Sequence, residues 1–149
     1  MSQNYAVCRQ DNGEIIGSAP LWVDESQAGR LVDLVTSHLG AEHGALFAMP
    51  APVSDQKTDW TTPLSGMAQS FASLTPEEQA TIGGLAAQRL ANVQSLSSRL
   101  VEVEPEATDL AEPLARACHY VDERCLYAID GQAVLTFWGH GTNQAEAFL

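Results

Sequence analysis

Apolar positions along the chain recur at two spacings, and each predicts a different kind of element. After Asp24, the residues Ala28, Leu31, Val32, Val35 and Leu39 fall three or four apart, which is the stripe of an amphipathic helix. Asp24 offers a carboxylate to the first turn, Gln27 stands at the capping-box position, and Gly40 supplies a left-handed stop. A longer stripe runs through Ile82, Leu85, Ala86, Leu90, Val93, Leu96, Leu100 and Val103, with Pro105 bounding it. Thr75-Pro-Glu-Glu78 starts this helix with a cap, a first-turn proline and a capping box. Gly83-Gly84 inside it costs roughly 1 kcal/mol per glycine against alanine, so a close backbone approach is expected there. Leu110, Leu114, Cys118 and Val121 predict a third, shorter helix, with Pro113 at its start or at a kink.

The remaining apolar runs are short and predict strands. Tyr5–Cys8 and Glu14–Gly17 flank Asp11-Asn-Gly13, an N-terminal hairpin, with Leu21-Trp22-Val23 as a third strand or a lead-in to the first helix. Gly44–Met49 reads as a buried strand ended by Pro50 and Pro52. Val53–Pro63 reads as a polar loop, and Met67, Phe71 and Leu74 as a short turn packed on the core. Leu126–Ile129 and Val134–Trp138 flank Asp130-Gly131-Gln132-Ala133, a C-terminal hairpin. Its second strand is apolar on both faces, as in a central strand. The expected fold class is therefore α+β, a single domain over 1–149 with 142–149 as a short tail. An antiparallel sheet of the two hairpins and the Gly44–Met49 strand would be covered by two long helices and one shorter helix.

Composition narrows the function more than the fold. The 149 residues carry 19 acids against 7 bases, a formal net charge of -12, with Lys57 the only lysine. Phosphate neutralisation needs clustered Lys and Arg, so nucleic-acid and anionic-lipid partners are disfavoured. No apolar run approaches the ~18 residues of a membrane span. The first residues lack the basic and apolar regions of a secretory signal, and the three cysteines, Cys8, Cys118 and Cys125, have no framework spacing. A cytoplasmic, bacterial protein is the expectation.

Catalytic and metal signatures are sparse. His38 and His43 are not a helical i, i+4 pair, and Cys8, Cys118, His119 and Cys125 form neither a C-x-x-C knuckle nor an H-E-x-x-H motif. Cys118 and His119 are neighbours that point about 100° apart on a helix, so they are not a dyad. Neither Ser65 nor Ser97-Ser98 has a nucleophile-elbow context, and no phosphate-binding glycine loop occurs. The Asp130–Gly139 stretch follows the form of the kinase strand pair, but Phe137-Trp138 stand where its metal-binding carboxylate would be, which rejects kinase activity. No metal, no cofactor and no catalytic residue is assigned.

Three segments together carry a resemblance: Asp59-Trp60-Thr-Thr-Pro63-Leu64, Leu74-Thr-Pro-Glu-Glu-Gln79 and Leu126–Gly139. In order and spacing the region 45–140 resembles a domain found near the N-terminus of large bacterial virulence-associated envelope proteins of the Srf type. The resemblance implies a bacterial accessory domain and transfers no catalytic residue. The membrane-spanning region expected downstream in that family is missing from this sequence, so a membrane role is not carried over.

Three functions fit these observations. The first is a non-enzymatic accessory or protein-interaction domain, with Trp22, Trp60 and Trp138 as exposed aromatics and Lys57, Asp59 and Trp60 as a partner-contact loop. The second is an acidic inhibitor or chaperone that docks a basic protein. Residues 102–123 contain seven acids and one arginine, and Glu104, Glu106, Asp109 and Glu112 are its candidate contacts. The third is a small enzyme or ligand binder built on Asp55, Asp59 and His140. The seam Ile82, Ala86, Val93, Leu96, Leu100, Val103, interrupted by Arg89, would serve either a homodimer or the chain's own core.

Overall fold

The computed structural model describes residues 5–17, 22–54 and 56–140. The chain is an α+β fold. In order, its elements are β1 (Tyr5–Asp11), α1 (Asn12–Ile16), α2 (Glu25–Leu39), α3 (Ala41–Gly44), β2 (Met49–Pro52), β3 (Lys57–Thr62), β4 (Gln69–Ser70), α4 (Pro76–Val103), α5 (Ala111–Ala117), β5 (Leu126–Ile129) and β6 (Gln132–Leu135). Single 3-10 turns precede α4, α5 and β5.

Both long helices start where the sequence predicts, although only α4 closes a capping box and Gln27 makes none on α2. The Asp24 carboxylate accepts from the Gln27 N–H at 2.7 Å, and Gly40 ends α2 at φ 105°. Thr75 and Glu78 complete a reciprocal capping box on α4, with Pro76 in the first turn. Pro113 falls within the first turn of α5, where its missing N–H has no helical partner to lose. The α4 seam faces inward over most of its length: Ile82, Ala86, Val93, Leu96 and Leu100 are buried in the chain's own core, while its last member, Val103, is exposed.

The sheets depart from expectation. Instead of one sheet there are two three-stranded antiparallel sheets, ordered β1-β3-β2 and β4-β5-β6. The N-terminal hairpin does not form. Asp11 caps a helical turn, its carboxylate accepting from the Gly13 N–H at 2.8 Å, so residues 12–16 are α1 rather than a return strand. β1 pairs instead with β3, through a bulge between Ala6 and Cys8. Trp22 and Val23 are not in a strand, and Leu21 lies outside the described residues.

β3 is the centre of the first sheet, where a polar loop was expected. Thr58, Trp60 and Thr62 are buried on one face, and Lys57, Asp59 and Thr61 occupy the other. Pro50 and Pro52 do not end a Gly44–Met49 strand; they lie within β2, Pro52 as its last residue, which is tolerated because β2 is an edge. The expected Gly44–Met49 strand is displaced. Residues 41–44 turn as α3, and a Cβ on Gly44 would lie 1.9 Å from Thr36 Oγ1. Met67 is 84% exposed rather than packed, while Leu74 is buried.

The C-terminal hairpin forms over a shorter span, with Asp130 (φ 52°) and Gly131 (φ 76°) as its two-residue turn. Residues 46–48 run alongside β6: Leu135 N donates to Leu46 O at 2.6 Å and Ala48 N to Leu135 O at 3.0 Å. They then continue into β2, so one stretch of chain edges both sheets. Trp138 seals this joint, its indole N–H donating to Ala48 O at 2.8 Å.

Two glycine substitutions test this packing in opposite directions. A Cβ on Gly139 (φ 88°) would lie 1.8 Å from the Trp22 indole nitrogen, so Gly139→Ala should cost more than about 3 kcal/mol. Of the Gly83-Gly84 pair, Gly83 is buried, but around Gly84 nothing lies within 4 Å of an added Cβ, so Gly84→Ala should add roughly 0.5–1 kcal/mol. Urea denaturation measures both; equal effects would contradict the packing.

Candidate functional site

The densest polar constellation lies where α4 ends. Val101, Glu102 and Val103 form its exposed last residues, Glu104 is its C-cap, and Pro105 cannot continue it. The turn Pro105–Leu110 kinks at Ala107 and then enters α5. Buried Leu110 and Leu114 anchor this segment, and Ser97 Oγ donates to Ala111 O at 2.7 Å to hold it on α4.

Across from it runs the polar side of α2. Arg30 Nη2 donates to Asp109 Oδ2 at 3.0 Å, and His38 Nε2 lies 3.2 Å from Glu104 Oε1. Between the two segments is an open groove of about 370 Å³ lined by Arg30, Asp33, Leu34, Ser37, Glu104 and Leu110. Its buried floor is Leu34 and Leu110, and carboxylates stand at its rim. Glu102, Glu106 and Glu112 are exposed and make no ion pair among the described residues. Further along, Asp122 is engaged by Arg124, whose hydrogen bonds hold its carboxyl below the usual range.

The electrostatics here run against the helix. The last turn of α4 has no basic residue, so Glu102 and Glu104 add charge to the negative end of its dipole. Of the four predicted acidic contacts, Glu104 and Asp109 are drawn against α2, while Glu106 and Glu112 face solvent. Arg30, Asp33, Ser37 and His38 were not assigned to a site in the sequence. Their signal was the polar stripe of α2, at positions 30, 33 and 37.

Lys57, Asp59 and Trp60 do not make one contact surface. Strand alternation turns the Trp60 ring into the core, with 0% exposure, while Lys57 and Asp59 face the other side. Arg9 of β1 clamps Asp59 through two hydrogen bonds, one of them at 2.9 Å, and these hold the Asp59 carboxyl below its ordinary range. Nor are Trp22 and Trp138 open anchors. Trp138 is fully buried; Trp22 is half-buried under the Arg116 guanidinium, 4.6 Å from its ring centroid.

Asp59 and His140 do not converge. His140 packs edge-on to Phe137, whose ring meets Trp60, on the face of β3 opposite to Asp59. Asp55 lies outside the described residues. His140 is buried, and its Nε2 accepts from the Trp22 backbone N–H at 3.4 Å. Burial, with the nearby Arg116 charge, pulls its pKa down to about 4. Burial pushes the Cys8 and Cys125 thiols up to about 11 and Cys118 to about 12, which makes them poor nucleophiles. Among the described residues no three His, Cys, Asp or Glu side chains are placed to hold a metal ion, and no helix is long and apolar enough to cross a membrane.

Two measurements follow from the aromatic groups. Trp138→Phe leaves Ala48 O without that donor, whereas Trp60 Nε1 is buried with no partner among the described residues to lose. Trp138→Phe should therefore be the costlier change by about 1–3 kcal/mol in denaturant titrations. His140 binds its proton less well folded than unfolded. Its stabilisation is thus complete above pH 6.5 and is lost as pH falls from 6.5 through about 4. A His140→Asn variant should show a shallower loss than wild type across that window, read from paired melts.

No family model matches the chain, and no curated protein or solved structure matches it.

Proposed function

We propose that this is a non-enzymatic protein-interaction domain, acting in the bacterial cytoplasm, whose acidic α4 terminus docks a basic protein partner. The observation that carries it is the negative end of α4, whose last turn holds carboxylates and no basic residue. Glu102 and Glu104 stand where carboxylates destabilise the helix, and exposed Val101 and Val103 stand beside them. A cationic partner relieves that repulsion and covers the valines. The neighbouring groove has an apolar floor and a rim where Asp33 and Glu104 stand with Arg30, and it fits one Lys or Arg stem whose charged head reaches the two carboxylates. An inhibitor or chaperone of a secreted effector or nucleic-acid-binding protein would use the face in this way.

The resemblance to Srf-type virulence-associated domains supports an accessory role only at the level of scaffold. The segments that carry it form the central strand β3, the α4 cap and the β5-β6 hairpin. None of them contributes to the acidic face.

Glu102→Lys separates a binding acid from a structural one. Reversing this charge should add about 0.3–1 kcal/mol of stability by suiting the helix dipole. It should also weaken capture of an oligolysine peptide several-fold in low salt. Wild-type binding should fall steeply from 50 to 300 mM salt, as screening shortens to below ~10 Å. Salt-independent capture, or capture unchanged by Glu102→Lys, would defeat the proposal.

A further inference from the structure

Arg89 is the charged residue that interrupts the apolar stripe of α4, and it is the only charged side chain that α4 buries. Its side chain is 9% exposed. A guanidinium carries five N–H donors, and burying it without acceptors is costly. Yet Nη1 is buried with no hydrogen-bond partner among the described residues. The nearest carboxylate, Glu42 Oε2, lies 3.8 Å from Nη2, beyond hydrogen-bonding distance. Glu42 belongs to the four-residue α3, and its side chain is 72% exposed, so it leans over the guanidinium from the solvent side.

The wall beside Arg89 is polar and neutral. Asn92, one turn along α4, has its Nδ2 2.9 Å from His43 Nε2. Burial first, and then the Arg89 charge, hold the His43 pKa below its ordinary value, and the ring also makes a backbone hydrogen bond with Leu39. A cation with unused donors thus stands behind one loosely held, displaceable acid.

We propose that Arg89 anchors a binding site for the carboxylate of a small organic acid, closed in this structure by Glu42. The planar guanidinium fork matches two carboxylate oxygens, and here one arm of the fork has no acceptor. Glu42 mimics the ligand from outside at ion-pair range, and at 3.8 Å from Nη2, with its own side chain exposed, it is held loosely enough to exchange. Displacing one side-chain carboxylate makes room for a group of similar size. The net charge of -12 repels polyanions, which favours a small monoanion over an acidic protein, a nucleic acid or a phosphate dianion.

The test is a sodium acetate titration of the intact chain, with ionic strength held constant by sodium chloride. It is followed by NMR of the Asn92 side-chain amide and by melting temperature. Wild type should show a saturable Asn92 shift. Glu42→Ala, an exposed change, removes the competing carboxylate and should lower the apparent Kd for acetate at least fivefold. Arg89→Met should abolish both the Asn92 shift and the acetate-dependent rise in Tm. Should Arg89→Met fail to fold, the fivefold tightening in Glu42→Ala decides by itself. No saturable shift in wild type or Glu42→Ala, an equal Kd in the two, or a response retained in Arg89→Met overturns the site. Tighter binding of inorganic phosphate than of acetate overturns the assigned ligand class.

Discussion

Trp138 holds together the two sheets on which everything else is arranged. Residues 46–52 edge both sheets, first alongside β6 and then as β2, and Trp138 sits at the point where the chain changes allegiance. Its indole N–H fixes the Ala48 carbonyl at 2.8 Å, and its own carbonyl accepts the Trp22 indole N–H at 2.7 Å. Phe47 and Trp22 meet its ring edge-on at 5.3 and 5.9 Å. Edge-to-face contacts of this kind add roughly 0.5–1.5 kcal/mol each beyond area burial. Building the joint strains the backbone. Phe137 takes φ 48°, which disfavours a bulky residue, and Gly139 must stay a glycine because the Trp22 indole fills the space of a side chain. The strain is tolerated because Phe137 in turn packs on Trp60 at 5.0 Å.

This aromatic joint explains why the charge of the chain collects elsewhere. Five aromatic rings, His140 and the apolar face of α4 occupy the interior, leaving no low-cost place there for nineteen carboxylates. Those next to bases are tied to them: Asp59 to Arg9, Asp109 to Arg30, Asp122 to Arg124. With only seven bases, most acids have no such partner. Placing several of them at the negative end of α4 costs roughly 0.3–1 kcal/mol each, less than burying a carboxylate among the rings would.

Local signals in the sequence were legible and distant ones were not. Asp24 and Thr75 mark helix starts because a cap is chemistry within three residues. Asp130-Gly131 marks a hairpin because a tight turn is equally local. Asp11-Asn-Gly13 misleads because the same side chain that can shape a hairpin turn also caps a helix. The choice is made by β3, roughly fifty residues on, which takes the pairing edge of β1. Lys57–Thr62 misleads in the other direction. Its alternation is regular, but the inward positions besides Trp60 are Thr58 and Thr62, polar by name and well suited to strands by their β-branching. The flanking prolines, which suggest a loop, instead lie on an edge strand and just beyond β3.

The same division separates the two candidate sites. The acidic run at 102–112 is contiguous, so its residues could be named from the sequence, but its groove needs α2, which lies more than sixty residues earlier. Arg89 was visible only as a fault in a pattern. A cation at an inward position of an apolar stripe is unfavourable unless acceptors meet it. The sequence could not say which residues would be there, because Glu42 and His43 reach it through α3, an element that the apolar pattern did not predict. The fold brings one carboxylate to ion-pair range of Nη2 and leaves Nη1 without an acceptor among the described residues. That left-over buried donor, unpartnered among the described residues, is the physical reason to read Arg89 as a site and not as a strut.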